Sequence, residues 1–414
     1  MSLDVNISEP EEFNCVELHS CIEDVAKILD VHDFEYQVDL LSGIGENYVA
    51  NLFKVIIKDI SNKNNTNSVV VKTLVNTERK DVFHEFHKRE VSVYTEIIPK
   101  FKQLQEHLKD YDRVCFPECL YTNADKNKEV IILKDLRDIG FGIDDVMSKY
   151  KERNFSQIRL ILTELAKFHA LSFVYEFREK ENFDTMKQKY EDFLFEESFM
   201  RKSKLRNYFF ESYDMSSELA IDIRVKRKLE RIRIKLIEIL RMYSRPSKTS
   251  VFCHGDLWIN NMLFKQGVSK DELCFLDFQV TRYCSPVIDI IHFIYLTTSS
   301  QFRSDHFHEL QNAYYDSLKS YLMLFNIDSN SVYPREDFEK DIEHNLPYGL
   351  IVALIELRIT TASNVEEGNY EDDKLTPISE ISKYDFRVRD VIEESVNNGI
   401  LDKLEQIVND GTSL

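Results

Sequence analysis

The stretch "VFCHGDLWINNMLF", residues 251–264, places a His-Gly-Asp turn between two apolar runs and follows it closely with Asn261. Val251, Phe252 and Cys253 lead in, and Met262, Leu263 and Phe264 lead out, so the polar centre reads as a tight loop joining two short buried strands. Two readings of that loop are open. In one, Asp256 caps a hairpin turn; in the other, a rigid loop holds Asp256 and Asn261 at one point. The choice depends on what accompanies the loop elsewhere.

Sixteen residues beyond Asn261, "LCFLDFQV" (273–280) brings Asp277 out of a second apolar strand. A carboxylate and an amide oxygen delivered by short strands suit Mg²⁺, a hard cation that takes oxygen ligands and keeps waters. A further carboxylate at the loop apex can accept the proton of an attacking hydroxyl. Upstream, "SGIGENY" (42–48) sets Gly43 and Gly45 at a turn between strands, where backbone N–H groups can approach phosphate oxygens. It is not a dinucleotide-binding fingerprint, because the third glycine is absent and a strand follows. Lys72, in the alternating strand "VVVKTLV" (69–75), points away from its apolar neighbours, and Glu90 in the next helix is an available partner. Taken singly, each of these residues also reads as an ordinary surface charge or turn. Their joint order and spacing carry the signal.

The rest of the chain frames these features. A length of 414 residues exceeds the usual size of one core, so two lobes are expected. With 72 acidic against 53 basic residues and a net charge of -19, a nucleic-acid backbone or an anionic membrane is excluded as a general partner. The N-terminal stretch lacks the apolar run of a secretory signal and no segment approaches the roughly 20 apolar residues of a membrane span, so a cytoplasmic protein is expected. Seven cysteines, from Cys15 to Cys284, form no disulfide framework. Cys115 and Cys119 lack a second Cys/His pair at metal spacing, and buried thiols are expected there rather than zinc.

An acidic helical lead-in over about 16–30 precedes alternating segments over 36–75, interrupted by the turn "SNKNNTNS" (61–68), which predict an antiparallel sheet. Helical spacing follows through Phe83, Phe86, Glu90 and Tyr94, then a strand pair at "PECLYTN" and "EVIILKDL" around the turn "ADKNK". Beyond about residue 138 long helices dominate, with Ile158, Ile161, Leu165, Phe168 and His169 on one face. His169 therefore reads as a core histidine. The basic run from Arg224 to Lys235 reads as a solvated helix face, since Glu230 and Glu238 interleave. The tail from Glu366 reads as a polar loop and a closing helix. The fold class is thus α+β, a small antiparallel-sheet lobe (1–137) preceding a larger helical lobe (138–414) that holds the loop 253–264 and the strand 274–279.

With these motifs assembled, the sequence resembles the aminoglycoside phosphotransferase and choline kinase branch of the protein-kinase-like fold, and within it the insect ecdysteroid kinase-like family. The resemblance is carried by "GIGENYVANLFKV" (43–55), "VVVK" (69–72), "FHKREVSVY" (86–94), "ILKDLRDIGF" (132–141), "LAKFHALSF" (165–173), "CHGDLWINNMLF" (253–264) and "LDFQVTRYCSPVIDIIHFIY" (276–295). It implies a bilobal kinase fold using ATP and Mg²⁺ on a small-molecule alcohol, such as an ecdysteroid or a xenobiotic in detoxification. By that resemblance Gly43 and Gly45 cover the phosphates, Lys72 binds them, and Glu90 pairs with Lys72. Backbone from Leu133 through Asp135 to Leu136 forms the hinge that meets adenine. Asp256 is the catalytic base, Asn261 and Asp277 are metal ligands, and Asp289 braces the catalytic loop.

Lys134 departs from the family pattern, standing where an acid is usual before Asp135, and Gln279 replaces the glycine of a DFG motif. His254 is expected to hold the loop in shape through backbone near Asp277. Trp258 reads equally as acceptor wall or loop packing. Phe193, Phe195, Phe199, Tyr208 and Phe209 supply either an apolar acceptor wall or helix core. A choline- or ethanolamine-type kinase and an inactive ligand-binding pseudokinase are the alternative functions.

Overall fold

The structure, a computed structural model, describes residues 18–41, 50–62, 64–74, 80–142, 154–267, 271–361 and 381–409. Gly43 and Gly45 lie outside the described residues. In chain order the first elements are α1 (Leu18–Ile28), β1 (Phe34–Leu40), β2 (Ala50–Asp59), β3 (Thr66–Leu74), α2 (Lys80–Ser92), α3 (Ile98–Leu104), β4 (Cys119–Asn123) and β5 (Val130–Lys134). Next come α4 (Phe155–Arg178), α5 (Lys180–Lys189), α6 (Glu197–Lys202), α7 (Leu205–Glu218), α8 (Ile223–Arg233) and α9 (Leu236–Ser244). Four short strands follow, β6 (Val251–Cys253), β7 (Met262–Lys265), β8 (Glu272–Phe275) and β9 (Arg282–Cys284). The chain closes with α10 (Val287–Thr297), α11 (Ser300–Leu324), α12 (Ser329–Val332), α13 (Arg335–Thr360), α14 (Ile381–Asn397) and α15 (Ile400–Asn409).

Two compact units result. One gathers Met1–Pro99, Cys115–Gly142 and Leu263–Gln279; the other holds Lys100–Val114, Ile143–Met262 and Val280–Leu414. This division differs from the boundary expected near residue 137. The reason is local pairing: Gly142 bridges Phe264 and Cys115 bridges Cys274, so the β7–β8 segment is tied to the sheet unit although it lies far downstream in sequence.

The sheet unit is built on five strands in the order β1-β2-β3-β5-β4, each neighbouring pair antiparallel. Alternation sorts its faces. Leu18, Cys21, Ile22 and Val25 of α1 pack with Tyr36, Val38, Phe53, Val55, Ile57, Val69 and Val71 in one apolar cluster. Lys72, next in line after Val71, therefore stands on the other face of β3. α2 continues through a π-helical turn at Val93–Ile97, an irregularity often found beside functional sites. From that turn Tyr94 packs edge-on against Phe278 at 5.9 Å, next to Asp277.

The second unit is mainly helical. Asn154 and Gln157 form a reciprocal capping box that starts α4, satisfying two N-terminal amides. α4 packs along α11, and α10 along α13. The hairpin reading of the 251–264 stretch does not hold: β6 pairs antiparallel with β9, and β7 with β8. The loop between β6 and β7 is thus stretched from one two-stranded ladder to another.

The basic helix α8 is tied down at its surface, with Lys228 and Arg231 paired to Asp402 and Glu405 of α15 and Arg233 to Asp214 of α7. The tail ends in two helices rather than one. Cys115 and Cys119 are half-buried, not buried, and neither is in a disulfide. No described helix is long and apolar enough to cross a membrane.

Candidate active site

In the sheet unit, three charged side chains converge. Lys72 Nζ donates to Glu90 Oε2 at 2.6 Å and to Asp277 Oδ1 at 2.7 Å. The strand positions the cation, the helix α2 supplies Glu90, and the turn after β8 supplies Asp277, 205 residues from Lys72. Glu90 is almost fully buried, whereas 24% of the Asp277 side chain stays open to solvent. The Lys72–Glu90 pair expected from the sequence is present.

The electrostatics follow from burial and charge. Burial alone would lower the pKa of Lys72, but Asp277 and Glu90 outweigh it and hold the ammonium well above its ordinary range. Burial pushes the Glu90 carboxyl up to about 7, against the pull of Lys72 and with Asp277 adding to the rise. A cation shared by two carboxylates keeps one acidic oxygen group free to meet a further positive charge.

Asp277 itself sits at φ 63, in the left-handed region that aspartate adopts at a cost of the order of 1 kcal/mol. The strand β8 ends two residues earlier, so the chain reverses at Asp277 and turns its side chain toward Lys72. This backbone feature was not legible in "LCFLDFQV", where Asp277 reads as a strand end.

In the second unit, the loop after β6 is organised by one buried carboxylate. Asp289 of α10 accepts from the His254 amide at 2.6 Å through Oδ2 and from the Gly255 amide at 3.0 Å through Oδ1. His169 Nε2 of α4 donates to the same Oδ2 at 3.2 Å, and its Nδ1 lies 2.8 Å from the Tyr314 hydroxyl of α11. Burial opposes ionisation of Asp289, yet its hydrogen bond and charge interaction with His169, with smaller contributions from His254 and the Gly255 amide, hold its pKa down to about 2. His169, fully buried, is the core histidine that its helix face suggested.

Gly255 makes the turn possible. Its φ is +88, and a Cβ there would stand 2.3 Å from the Val280 carbonyl oxygen. His254 shapes the loop locally: its Nδ1 accepts from the Asp256 amide at 3.3 Å. Asn261 closes it, with Nδ2 donating to the Asp256 backbone oxygen at 2.9 Å and to Asp256 Oδ2 at 3.1 Å. Asp256 and Asn261 are therefore one hydrogen-bonded pair.

By donor chemistry, Asn261 of the second unit and Asp277 of the sheet unit each suit a hard divalent cation. Because Asn261 Nδ2 is committed to Asp256, the amide oxygen is the atom left for a ligand, and Asp277 offers a partly exposed carboxylate. Both are oxygen donors of the kind Mg²⁺ takes.

The remaining expected residues fall as follows. Leu133 pairs with Val70 in the β3–β5 ladder. The Asp135 amide donates to the Ser68 carbonyl at 3.1 Å, and its carboxylate is held by Ser68 Oγ at 2.7 Å and by Arg137 at 2.6 Å. Burial would raise the Asp135 pKa, but these hydrogen bonds keep it below the usual range. Leu136 begins a short 3₁₀ turn, and its carbonyl accepts from Gly140 and Phe141. The amide of Asp135 is thus already spent within the sheet unit, as is that of Lys134 on Glu118. Of the aromatic segment, Phe195 and Phe209 are core residues, while Phe193 and Phe199 are half-buried and meet edge-on at 5.0 Å.

Two residues beside Asp256 escaped the sequence reading. His292 of α10 and Glu356 of α13 each bring a ligand-type atom to Asp256, all three lying within 4.8 Å of one another. His292 looked like one polar residue in an apolar helix, and Glu356 like one charge in the apolar run "GLIVALIELRI" (349–359). Only packing of α10 on α13 unites them.

No curated protein sequence matches the chain. Among solved structures, a Plasmodium vivax ethanolamine kinase is similar at a TM-score of 0.40 and 12% identity, covering 88% of this chain and 84% of its own. A microcompartment-associated aminopropanol kinase is similar at 0.36 and 12% identity, over 94% of this chain and 97% of its own. Neither likeness is close enough to transfer a residue role. The sequence model of one family does match, over residues 44–327, a span that contains Lys72, Glu90, Asp256, Asn261, Asp277 and Asp289. The chain belongs to the ecdysteroid kinase-like family.

Proposed function

We propose that this protein is an ATP- and Mg²⁺-dependent phosphotransferase that moves the γ-phosphoryl group onto a hydroxyl of a small lipophilic alcohol, an ecdysteroid or a xenobiotic alcohol being the class intended. The observation that carries the reading is the Lys72–Glu90–Asp277 constellation, at 2.6 and 2.7 Å. A strand cation oriented by a helix carboxylate, with a second carboxylate left partly open, is the arrangement that phosphoryl transfer from ATP requires.

In this assignment Lys72 holds ATP phosphate oxygens, Gly43 and Gly45 cover them, and Asn261 with Asp277 holds the metal. Mg²⁺, when bound, neutralises charge on the phosphates and orients them. Asp256 takes the proton as the acceptor O–H bond breaks and the new O–P bond forms, ADP leaving with the electron pair of the broken bond. Asn261 fixes the rotamer of Asp256 through its 3.1 Å hydrogen bond, so the base is oriented before the acceptor arrives. The hinge role of backbone 133–136 belongs to the same proposal.

The test is transfer from Mg-ATP to a panel of ecdysteroids, choline, ethanolamine and simple lipophilic alcohols, read by product mass, with Asp256→Asn in parallel. A phosphorylated steroid or lipophilic alcohol formed by the wild type alone supports the reading. Phosphocholine or phosphoethanolamine as the sole product replaces it with an amino-alcohol kinase. ATP binding with no product from any acceptor favours a ligand-binding pseudokinase.

A further inference from the structure

α10 is buried along its length, from Val287 to Leu296, and apart from Asp289 its one titratable side chain other than tyrosine is His292. His292 is 3% exposed, and both ring nitrogens are engaged. Nδ1 lies 3.3 Å from the carbonyl oxygen of Leu257, the residue after Asp256, and Nε2 lies 3.0 Å from Glu356 Oε2 on α13. A backbone carbonyl has no proton to give, and neither has a carboxylate. A neutral imidazole carries a single N–H and can satisfy one of these partners; the imidazolium satisfies both.

The surroundings agree with a cation. Burial would lower the pKa of His292, but Glu356 of α13, by charge and hydrogen bond, and then Asp256 of the loop and Asp289 of the helix's own first turn outweigh it and raise the pKa above the ordinary value. The Tyr348 ring of α13 lies over it at 6.5 Å, and the buried Arg282 guanidinium acts on that same Tyr348 and on Asp289. Two carboxylates, Asp256 and Glu356, come within 4.8 Å of each other and of the ring. Such a pair at that range repels unless a positive charge stands between its members.

We infer that His292 is a positioning residue for the transfer, an imidazolium clamp that ties the Leu257 carbonyl of the catalytic loop to Glu356 of α13 and acts as the counter-ion of the Asp256–Glu356 pair. The clamp fixes where Asp256 stands without touching the acceptor. Glu356, 28% exposed in its side chain, sets the charge state of the ring from the solvent side. The role in transfer rests on the phosphotransferase reading; the charge state of the ring does not.

The experiment has two arms on the full chain. In the first, ¹⁵N-histidine labelling and NMR at pH 7.5 read the ring nitrogens, with His292→Gln assigning the resonance among the 11 histidines. Both nitrogens of His292 are expected in the protonated range, and Glu356→Gln is expected to return the ring to one N–H. A single protonated nitrogen in the wild type overturns the clamp. In the second, steady-state transfer is measured on the best acceptor of the panel. His292→Gln is expected to lower kcat by about 100-fold, as for a small displacement of a reacting group, with the KM for Mg-ATP within about twofold. Glu356→Gln, a milder change at a partly exposed site, is expected to lower kcat in the same sense and serves if the His292 variant does not fold. Unchanged kcat in both variants overturns the positioning role. If the wild type transfers phosphate to nothing, the phosphotransferase reading and the positioning role fall together, while the nitrogen spectrum still decides the charge of His292.

Discussion

Asp289→Asn is the perturbation that most directly questions how the His254–Asp256 loop is held. The native carboxylate accepts from His254 N at 2.6 Å, Gly255 N at 3.0 Å and His169 Nε2 at 3.2 Å. An asparagine keeps one acceptor oxygen and turns the other position into an NH₂ group that faces a donor. One charge-assisted bond is lost, worth about 1.5–3 kcal/mol, and a buried N–H is left unmet at about 1–3 kcal/mol. Partial relaxation of the turn brings the expected loss to about 2–4 kcal/mol. At about 1.4 kcal/mol per decade, amide hydrogen exchange of the 252–256 segment should quicken by about 30- to 1,000-fold. Exchange followed by mass spectrometry on peptides spanning that segment reads this directly, with the sheet-unit peptides as an internal control. A change below about threefold would refute the claim that Asp289 holds the loop. If exchange quickens as expected but kcat stays at the wild-type value, the loop is braced by Asp289 without that brace mattering to transfer.

Asp277→Ala is expected to weaken both Mg-ATP binding and turnover, because it removes the proposed metal oxygen and one of the two partners of Lys72; unaltered ATP affinity by calorimetry would exclude it from the metal site. Gly255→Ala forces a Cβ to within 2.3 Å of the Val280 carbonyl at φ +88, and a loss of about 2 kcal/mol or more in urea unfolding is expected, with full stability refuting the close approach. The pKa of Asp289 is depressed from 3.8 to about 2, so its contribution is complete above about pH 4 and is lost as pH falls toward 2. That is about 2 kcal/mol, and it should be absent from the acid unfolding profile of Asp289→Asn.

Much of this architecture was legible because the signals are local. Alternation in "VVVKTLV" placed Val69 and Val71 on the face covered by α1 and Lys72 on the other, and a strand's period of two needs no tertiary information. Glu90 follows Lys72 by 18 residues, close enough for one strand-helix connection to bring them together. The His-Gly-Asp turn announced a polar loop because Gly255 and the flanking apolar triplets are themselves the cause of the turn.

Other features were illegible for equally physical reasons. β6 and β9 are three residues each, too short to show a period, so nothing in "VFC" names "RYC" as its partner. His292 and Glu356 stand 64 residues apart, each a single polar residue in an almost continuously apolar stretch of helix, and such stretches carry no face from which a partner can be inferred. The left-handed backbone at Asp277 has no decisive residue signature, since aspartate adopts that conformation only occasionally and glycine is its usual marker. The commitment of the Asp135 amide to Ser68 likewise depends on strand register rather than composition.

The division of the chain has a consequence for biosynthesis. The described part of the sheet unit begins at α1 but is completed by Leu263–Gln279, and Asp277 lies 205 residues downstream of the lysine it pairs with. At about 5–20 residues per second, a ribosome takes on the order of 10–40 s to cover that interval. For that period Lys72 and Glu90 are already on a nascent chain while their third member is still inside the tunnel or not yet made. The sheet unit therefore cannot be completed until the interval Ile143–Met262, which belongs to the second unit, has been made. Any truncation upstream of residue 263 yields a sheet unit lacking its β7–β8 segment and, with it, the Asp277 carboxylate that Lys72 meets.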